Sequence, residues 1–489
     1  MKKRAVKPKP AMYRGRAGTL LTGTGALIGC LAMTLHAQAP PVLSAQGQPI
    51  DTAAIRWVNR AIDLMGGEEK LRGIHRTAMS MMTQWQRTGF REIPYTDRPS
   101  FERHHDVRDY TIPAWRNTRQ FGSRDIVNIV RDSVSATNFG TGFQPLNIAY
   151  VDERAELFAY TPDRLMLFLR DAPDLRVGRD TSIGGESHRV VTATVADRFP
   201  SQVYFHAGTG LPTVLRFRAA QANDFGLVPW GEMQVSVWYS NWRTMHELSI
   251  PTQWDIERVG QPYKRMTVLS IELNPEFAPD SFEVAANTRA SYFQTAARPM
   301  HETRGITATQ VVEPGLVVNE GFGFPAGAVE VGGEWLMIGA GQASYNFRMG
   351  VEALTSAGVR TIAGVLALTA STGNGGVLAA ADAGLPIYVS PASEPFVRKM
   401  LEGSTRHDAE IIRVPTGGFA IEFGEERLQL KPIDLPNVAG SVMLYRPETG
   451  WLYLPDAVED LDMRIGQQQA QQADWDIRST GNARRLWPN

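Results

Sequence analysis

The chain has 489 residues, 43% of them hydrophobic, which excludes wholesale disorder and suits two or more folded domains. Fifty basic against fifty-one acidic residues leave a net charge of −1, which excludes a global electrostatic pull toward nucleic acid. The single cysteine, Cys30, excludes an internal disulfide.

Residues 1–16 (MKKRAVKPKPAMYRGR) are basic, 17–35 are apolar, and HAQAPP follows, which is the layout of a secretory signal peptide. We expect 1–39 to be that signal, cut after Ala37 or Ala39, and 40–50 to be a tether. The mature protein is then periplasmic or otherwise exported. The alternative starts from Leu27-Ile28-Gly29-Cys30, which resembles a bacterial lipoprotein box: lipidation of Cys30 would anchor the chain to a membrane. That is the one membrane contact expected.

Asp51 opens a helix in which Ile55, Val58, Ile62 and Met65 recur at helical spacing, and Gly66-Gly67 ends it. A short helical piece spans 68–74. From His75 the period changes to two: Met79, Met81, Thr83 and Trp85 share one side, Ser80, Met82 and Gln84 the other. Further strands are expected at 125–135, 147–151, 190–195, 202–205, 233–239 and 266–273, the last with Leu269, Ile271 and Leu273 on one face. VYFHAGTGLPTVLRF reads as a hairpin reversing at Ala207-Gly208-Thr209-Gly210. His104-His105-Asp106 is the densest histidine cluster. Neighbouring strand side chains point to opposite faces, so the pair does not grip one metal, and a solvated edge or loop is expected.

Many antiparallel strands after one helix suggest a curved sheet wrapped around it over 51–284. The GGEEKLR helix end, the TGLP hairpin, the YSNWR stretch and the closing NPEFAPDSF resemble the periplasmic lipoprotein-carrier half-barrels. That resemblance implies a concave apolar face able to hold acyl chains. The candidate binding residues are Met79, Met81, Trp85, Val237 and Tyr239, which would take a lipid or other apolar small molecule. The competing reading is that they pack against the helix as ordinary core, and alternation alone does not separate the two.

Residues 285–310 are polar and read as an irregular connection. A second domain is expected over 311–463, with strands near 311–318 and 328–338, a helix at 347–357, a buried strand at 361–368, a sharp glycine turn and an alanine-rich helix at 375–383. A strand at 385–389 and a helix at 391–401 follow, with Ser390 as cap and Pro391 at its first position. A β-rich block at 410–432 and strands at 442–445 and 451–454 complete it, leaving 464–489 as a short tail.

The stretch 360–390 resembles the metallo-β-lactamase-fold hydrolases, whose strand-to-helix turn reads His-x-His-x-Asp-His-x-Gly-Gly. The resemblance implies an αββα sandwich, so the fold class expected for the whole chain is α+β, a half-barrel followed by that sandwich. Aligned on Gly375-Gly376, the four ligand positions hold Leu368, Ala370, Thr372 and Gly373, none of which ligates zinc. The later histidine position holds Asn437, and Asp456 is the only ligand position retained. Asp456 with Glu459 also suits a helix N-terminus, where carboxylates favour the dipole.

Other chemistries lack their parts. Ser371 and Thr372 lie on the turn without a G-x-S-x-G frame or a histidine base, and the turn 372–376 could offer N–H groups to an anion. Hydrolysis in that family rests on a metal lowering the pKa of bound water to about 7. The expectation is therefore no catalytic residues, no metal and no cofactor: an exported binding or interaction protein with a degenerate hydrolase domain, partnered by a lipid or an envelope protein and not by nucleic acid. Two alternatives stand, a metal-dependent hydrolase with an atypical site and a structural subunit of an envelope complex.

Overall fold

The computed structural model describes residues 51–86, 99–121, 124–221, 231–299, 302, 305–321, 326–368, 374–402, 404, 407–423, 426–435, 438–454, 460–481 and 486–488. The expected signal, the tether, Cys30, Ala370, Ser371, Thr372, Gly373, Asn437, Asp456 and Glu459 lie outside these residues. Among the described residues, no helix is long and apolar enough to cross a membrane.

Helix α1 (Thr52–Met65) starts where Asp51 Oδ1 accepts the N–H groups of Ala53 and Ala54 at 2.9 and 3.2 Å. It stops at Gly66, whose φ of +124° suits glycine, and Gly67 N–H closes back on the Ile62 carbonyl at 2.9 Å. Helix α2 (Glu68–Arg72) follows directly.

One antiparallel sheet of fourteen strands then forms. Its strands are β1 (Arg76–Gln86), β2 (Pro99–Asp109), β3 (Ala114–Phe121), β4 (Arg124–Arg131), β5 (Val134–Asn138), β6 (Phe143–Pro145), β7 (Arg176–Val177), β8 (Thr181–Ile183), β9 (Glu186–Val195), β10 (Phe199–His206), β11 (Pro212–Gln221), β12 (Gly231–Met245), β13 (Leu248–Arg258) and β14 (Gln261–Leu273). The order β6-β5-β4-β3-β2-β1-β14-β13-β12-β11-β10-β9-β7 puts the first strand beside the last, with β8 paired to β9. Helices α3 (Ala149–Tyr160) and α4 (Pro162–Asp171) pack on the same side of it as α1, and Val58, Leu157, Leu165, Val191, Phe217, Val237 and Trp254 meet there in one core.

Several expectations change here. The run 147–151 is the entry to α3 and not a strand, because Asn147 Oδ1 caps the Ala149 N–H at 2.9 Å and turns the chain into a helix. The run 125–135 is the hairpin β4–β5, reversed at Asp132 with φ of +56°. His104 and His105 lie on β2, which is flanked by β1 and β3, so neither an edge nor a loop holds them. Leu269 does not share a face with Ile271 and Leu273. The register between β1 and β14 passes from Ser80↔Ser270 to Met81↔Val268, so a bulge at Leu269 turns that side chain outward, where it is 52% exposed. The hairpin at 207–210 forms as β10–β11, with His206 N–H on the Leu211 carbonyl at 3.0 Å.

Within 285–310, helix α5 (Ala286–Thr295) replaces part of the expected irregular connection, and Tyr292 is buried with Phe282 and Val284 against β4 and β5. Two further sheets follow. The first holds β15 (Ala308–Glu313), β16 (Leu316–Glu320), β17 (Gly327–Val331), β18 (Glu334–Ile338), β19 (Ile362–Ala367), β20 (Ile387–Val389) and β21 (Ile411–Arg413) in sequence order, antiparallel to β18 and parallel beyond it. The second holds β22 (Phe419–Phe423), β23 (Glu426–Leu435), β24 (Val438–Arg446), β25 (Trp451–Tyr453), β26 (Ser479–Gly481) and β27 (Leu486–Pro488). The runs 311–318 and 328–338 are thus each a hairpin, split by Gly315 and by Gly332-Gly333, all at positive φ.

Alternation explains why these strands look uniformly apolar. Leu336, Ile338 and Leu366 face Leu430, Leu444 and Trp451 across the gap between the sheets. Met337, Val365 and Ala367 face the other way, toward α6 (Ser344–Ser356), α7 (Val377–Asp382) and α8 (Glu394–Leu401). Met443, Tyr445 and Leu452 of the second sheet belong to a separate core that includes Ala470 of α9 (Asp460–Gln472). A strand buried on both faces carries no polar side to alternate with. The expected tail after Met463 is therefore occupied by most of α9 and by β26 and β27.

Ser390 and Pro391 do not open the helix as expected: α8 begins at Glu394 with Ser393 at its N-cap position, and Ser390 Oγ accepts the Ser393 N–H at 3.1 Å in the turn before it. The two halves touch through Met233 of β12 and Val259, which are fully buried in the core under α6 and α8.

Candidate binding site

The turn that would carry a hydrolase's metal is bounded by β19 and α7. Leu368, at the first ligand position, packs on the core between the two sheets, and a Cβ on Gly339 would come within 3.1 Å of its Cδ1. Gly376 N–H bonds to the Gly341 carbonyl at 2.9 Å, and an added Cβ there would lie 1.9 Å from the Ala340 carbonyl oxygen. Glycine is needed at 376 for close backbone approach alone. Among the described residues, the polar residues buried in this half are amides and hydroxyls: Asn374 is fully buried, and Ser390 and Ser393 both donate to the Gly440 carbonyl, at 2.7 and 3.0 Å. Among the described residues, no three His, Cys, Asp or Glu side chains come together as a metal would require. Leu368 and this donor set do not fit zinc.

The helix-covered face of the large sheet presents a different chemistry. Met79, Met81, Val237 and Tyr239 are all at most 2% exposed and belong to the core shared with α1, α3 and α4, while Trp85 is only partly buried against it. Along β1 the lining changes character. Thr77 and Met79 border an apolar cavity of about 20 Å³ with Leu71, Leu248 and Trp254, whereas Thr83 and Trp85 border a cavity of about 60 Å³ with His104, Asp106, Glu153 and Lys264. The second has room for water and the polar partners to hold it.

Sequence reading singled out His104 and Asp106 but expected a solvated edge or loop, and it missed the rest of this buried polar cluster, because its members come from β1, β2, β3, β14 and α3. Arg108 is fully buried and ties the two cavities together: Nη1 donates to Thr161 Oγ1 of the apolar one at 2.8 Å, and Nη2 to Asp106 Oδ2 of the polar one at 3.2 Å. Asn117 donates to Asp106 Oδ1 at 2.5 Å. Burial alone would raise the Asp106 carboxyl, but charge at His104 and Arg108 and the Asn117 and Arg108 donors outweigh it and hold the group below its ordinary value. Burial lowers His104, whose Nε2 lies 3.2 Å from Thr83 Oγ1.

Helix α3 is fastened to the sheet by charge. Lys264 Nζ donates to Glu153 Oε1 at 2.8 Å and lies over the Trp85 and Tyr263 rings, and Arg258 pairs with Glu156 at 3.6 Å. Burial opposes the Lys264 charge, yet Glu153 and the neighbouring tyrosines raise its pKa overall. Burial pushes the Tyr160 hydroxyl up to about 12. The one periodic sign in the sequence was β1 itself, where two methionines give way to threonine and tryptophan on the same face.

No protein-family model and no curated protein matches this chain. Solved structures similar to it include lipoprotein-sorting domains and metallo-β-lactamases. A LolA superfamily protein from Nitrosomonas europaea is 11% identical, with 47% of this chain and 97% of that one covered at a TM-score of 0.31. A putative outer membrane lipoprotein-sorting protein domain from Vibrio parahaemolyticus is 7% identical, with 47% and 97% covered at 0.32. The DIM-1 metallo-β-lactamase is 11% identical, with 37% and 90% covered at 0.28.

Proposed function

We propose that this chain is an exported, non-catalytic binding protein. Its N-terminal half-barrel takes a lipid or another apolar ligand with a polar end, under helix α3. The observation that carries this reading is the change along β1 from an apolar cavity at Met79 to a polar, charged one at Trp85, His104 and Lys264. An amphiphile needs both environments in one groove. Met79, Met81, Val237 and Tyr239 are packed by helices, so entry of an acyl chain requires α3 to move. Its attachment through the Glu153–Lys264 and Glu156–Arg258 pairs, not through apolar packing alone, suits such movement.

The second domain, a metallo-β-lactamase-like αββα sandwich beginning near β15, serves as scaffold or as the surface for an envelope partner. Leu368 in its core, with Ala370, Thr372 and Gly373 in sequence, favours this over hydrolysis. Export follows from the basic and apolar N-terminal stretches.

Mass spectrometry of solvent extracts from the purified mature protein, with elemental analysis of the same sample, tests the reading. The expected result is a stoichiometric amphiphile, or saturable uptake of a fluorescent fatty acid, without zinc. Stoichiometric zinc, with hydrolysis abolished by chelator or by Asp456→Ala, would replace it with the enzyme reading.

A further inference from the structure

A groove of about 830 Å³ crosses the other side of the large sheet, over β9 to β12. Along β11, Leu215, Phe217 and Ala219 belong to the interior core, so Val214, Arg216 and Arg218 point away from the helices. The groove is walled at one end by Glu402, just past α8 of the second domain. It exists because the two halves dock there: Arg218 Nη1 donates to the Glu402 carbonyl at 2.8 Å, and Lys399 packs over Gly260.

Three arginines line it, and two are matched. Arg198 pairs with Asp152 at 2.5 Å and Arg218 with Glu232 at 2.5 Å, while Glu402 is paired to Lys399. Arg216 has no carboxylate partner among the described residues. It lies over the Tyr204 ring at 5.0 Å and donates to the Tyr204 hydroxyl at 3.3 Å, and its Nε is buried without an acceptor. Arg218 Nη2 is likewise buried and unsatisfied. Buried guanidinium N–H groups are ordinarily satisfied, and the fork of arginine matches the paired oxygens of a carboxylate or phosphate. Thr192, Gln202 and Gln234 add neutral polar groups around them, and the volume is that of a small-molecule site.

We propose that this groove is a second binding site, for a polar small molecule carrying a carboxylate or phosphate, with Arg216 as its anchoring cation and Arg218 supplying a further donor. The site shares no residue with the half-barrel cavities, so it stands or falls separately from lipid binding.

The test is calorimetric titration of the mature two-domain protein with citrate and with pyrophosphate, each at constant ionic strength. At least one should bind saturably, and the one that does identifies carboxylate or phosphate as the preferred group. Arg216→Gln should weaken that binding about tenfold or more, and Arg216→Lys by less, since the charge remains while the fork is lost. Gln202→Glu, cross-strand from Arg216, keeps the arginine but gives it an internal carboxylate, and should weaken binding about tenfold even where Arg216 variants fold poorly. Absence of saturable binding by either anion, or unchanged affinity in folded Gln202→Glu protein, would overturn the proposal.

Discussion

Arg108 donates to the Thr161 hydroxyl at 2.8 Å, and Thr161 donates in turn to the Leu157 carbonyl at 2.6 Å. The joint between α3 and α4 is thereby fastened to the middle of the sheet by a buried cation, which itself answers the buried carboxylate of Asp106.

Removing that cation strands a charge. Arg108→Met should destabilise the large-sheet half by about 3–5 kcal/mol, because Asp106 stays buried with Asn117 as its main remaining donor. The double variant Arg108→Met with Asp106→Asn should recover much of this loss. Urea unfolding of the four proteins of the cycle reads the coupling, and strict additivity would mean the pair is not coupled.

Lys264→Met should free α3 without emptying the core. The methionine keeps most of the apolar stem over Trp85, but Glu153 loses its cation. Hydrogen exchange of the 149–160 amides should accelerate about tenfold or more while those of α1 stay unchanged. Equal acceleration in both helices would show that α3 does not open alone.

His104 gives the large-sheet half of the protein a pH dependence of predictable sign. Burial is the main cause of its lowered pKa, with Lys264 and Arg108 acting the same way and Asp106 and Glu102 opposing. Below the ordinary histidine value of about 6.5 the unfolded chain takes up a proton that the folded ring resists, so stability falls as pH drops through that value toward the folded pKa. Asp106, with its depressed pKa, contributes stability that is lost only in more acidic solution, as pH falls from the ordinary carboxylate range through its folded value. Unfolding midpoints at about pH 7.5 and about pH 5 should differ in the parent and differ less in His104→Gln.

Gly376→Ala should unfold or severely loosen the second domain. Its Cβ would sit 1.9 Å from the Ala340 carbonyl oxygen, a backbone atom that cannot swing aside, and a loss of about 3 kcal/mol or more is expected. The thermal transition should drop or split. An unchanged transition would mean that the turn after β18 yields easily.

Much of the architecture was legible wherever one residue dictates one local outcome. Asp51 and Gly66 bracket α1 in sequence and in structure, and the Gly210 hairpin reverses where expected, since caps and tight turns depend on near neighbours. Runs such as 328–338 read as single strands because Gly332-Gly333 interrupts two strands that are each buried on both faces, leaving no polar phase to mark the break. Leu269 was misplaced because a bulge is set by the partner strand's register, which the strand's own alternation does not contain.

By itself, the sequence determined that Leu368, Ala370, Thr372 and Gly373 precede Gly375-Gly376 and that none of them is a usual zinc ligand, since that depends on side-chain identity alone. Only the tertiary structure decided that Met79 and Tyr239 are covered by helices, that His104, Asp106, Glu153 and Lys264 share one cavity, and that Arg216 stands without a carboxylate among the described residues. These relations join residues as far apart as β1 and β14, or the two halves of the chain, and burial and charge pairing between them arise only when the strands pair and the helices pack on the sheet.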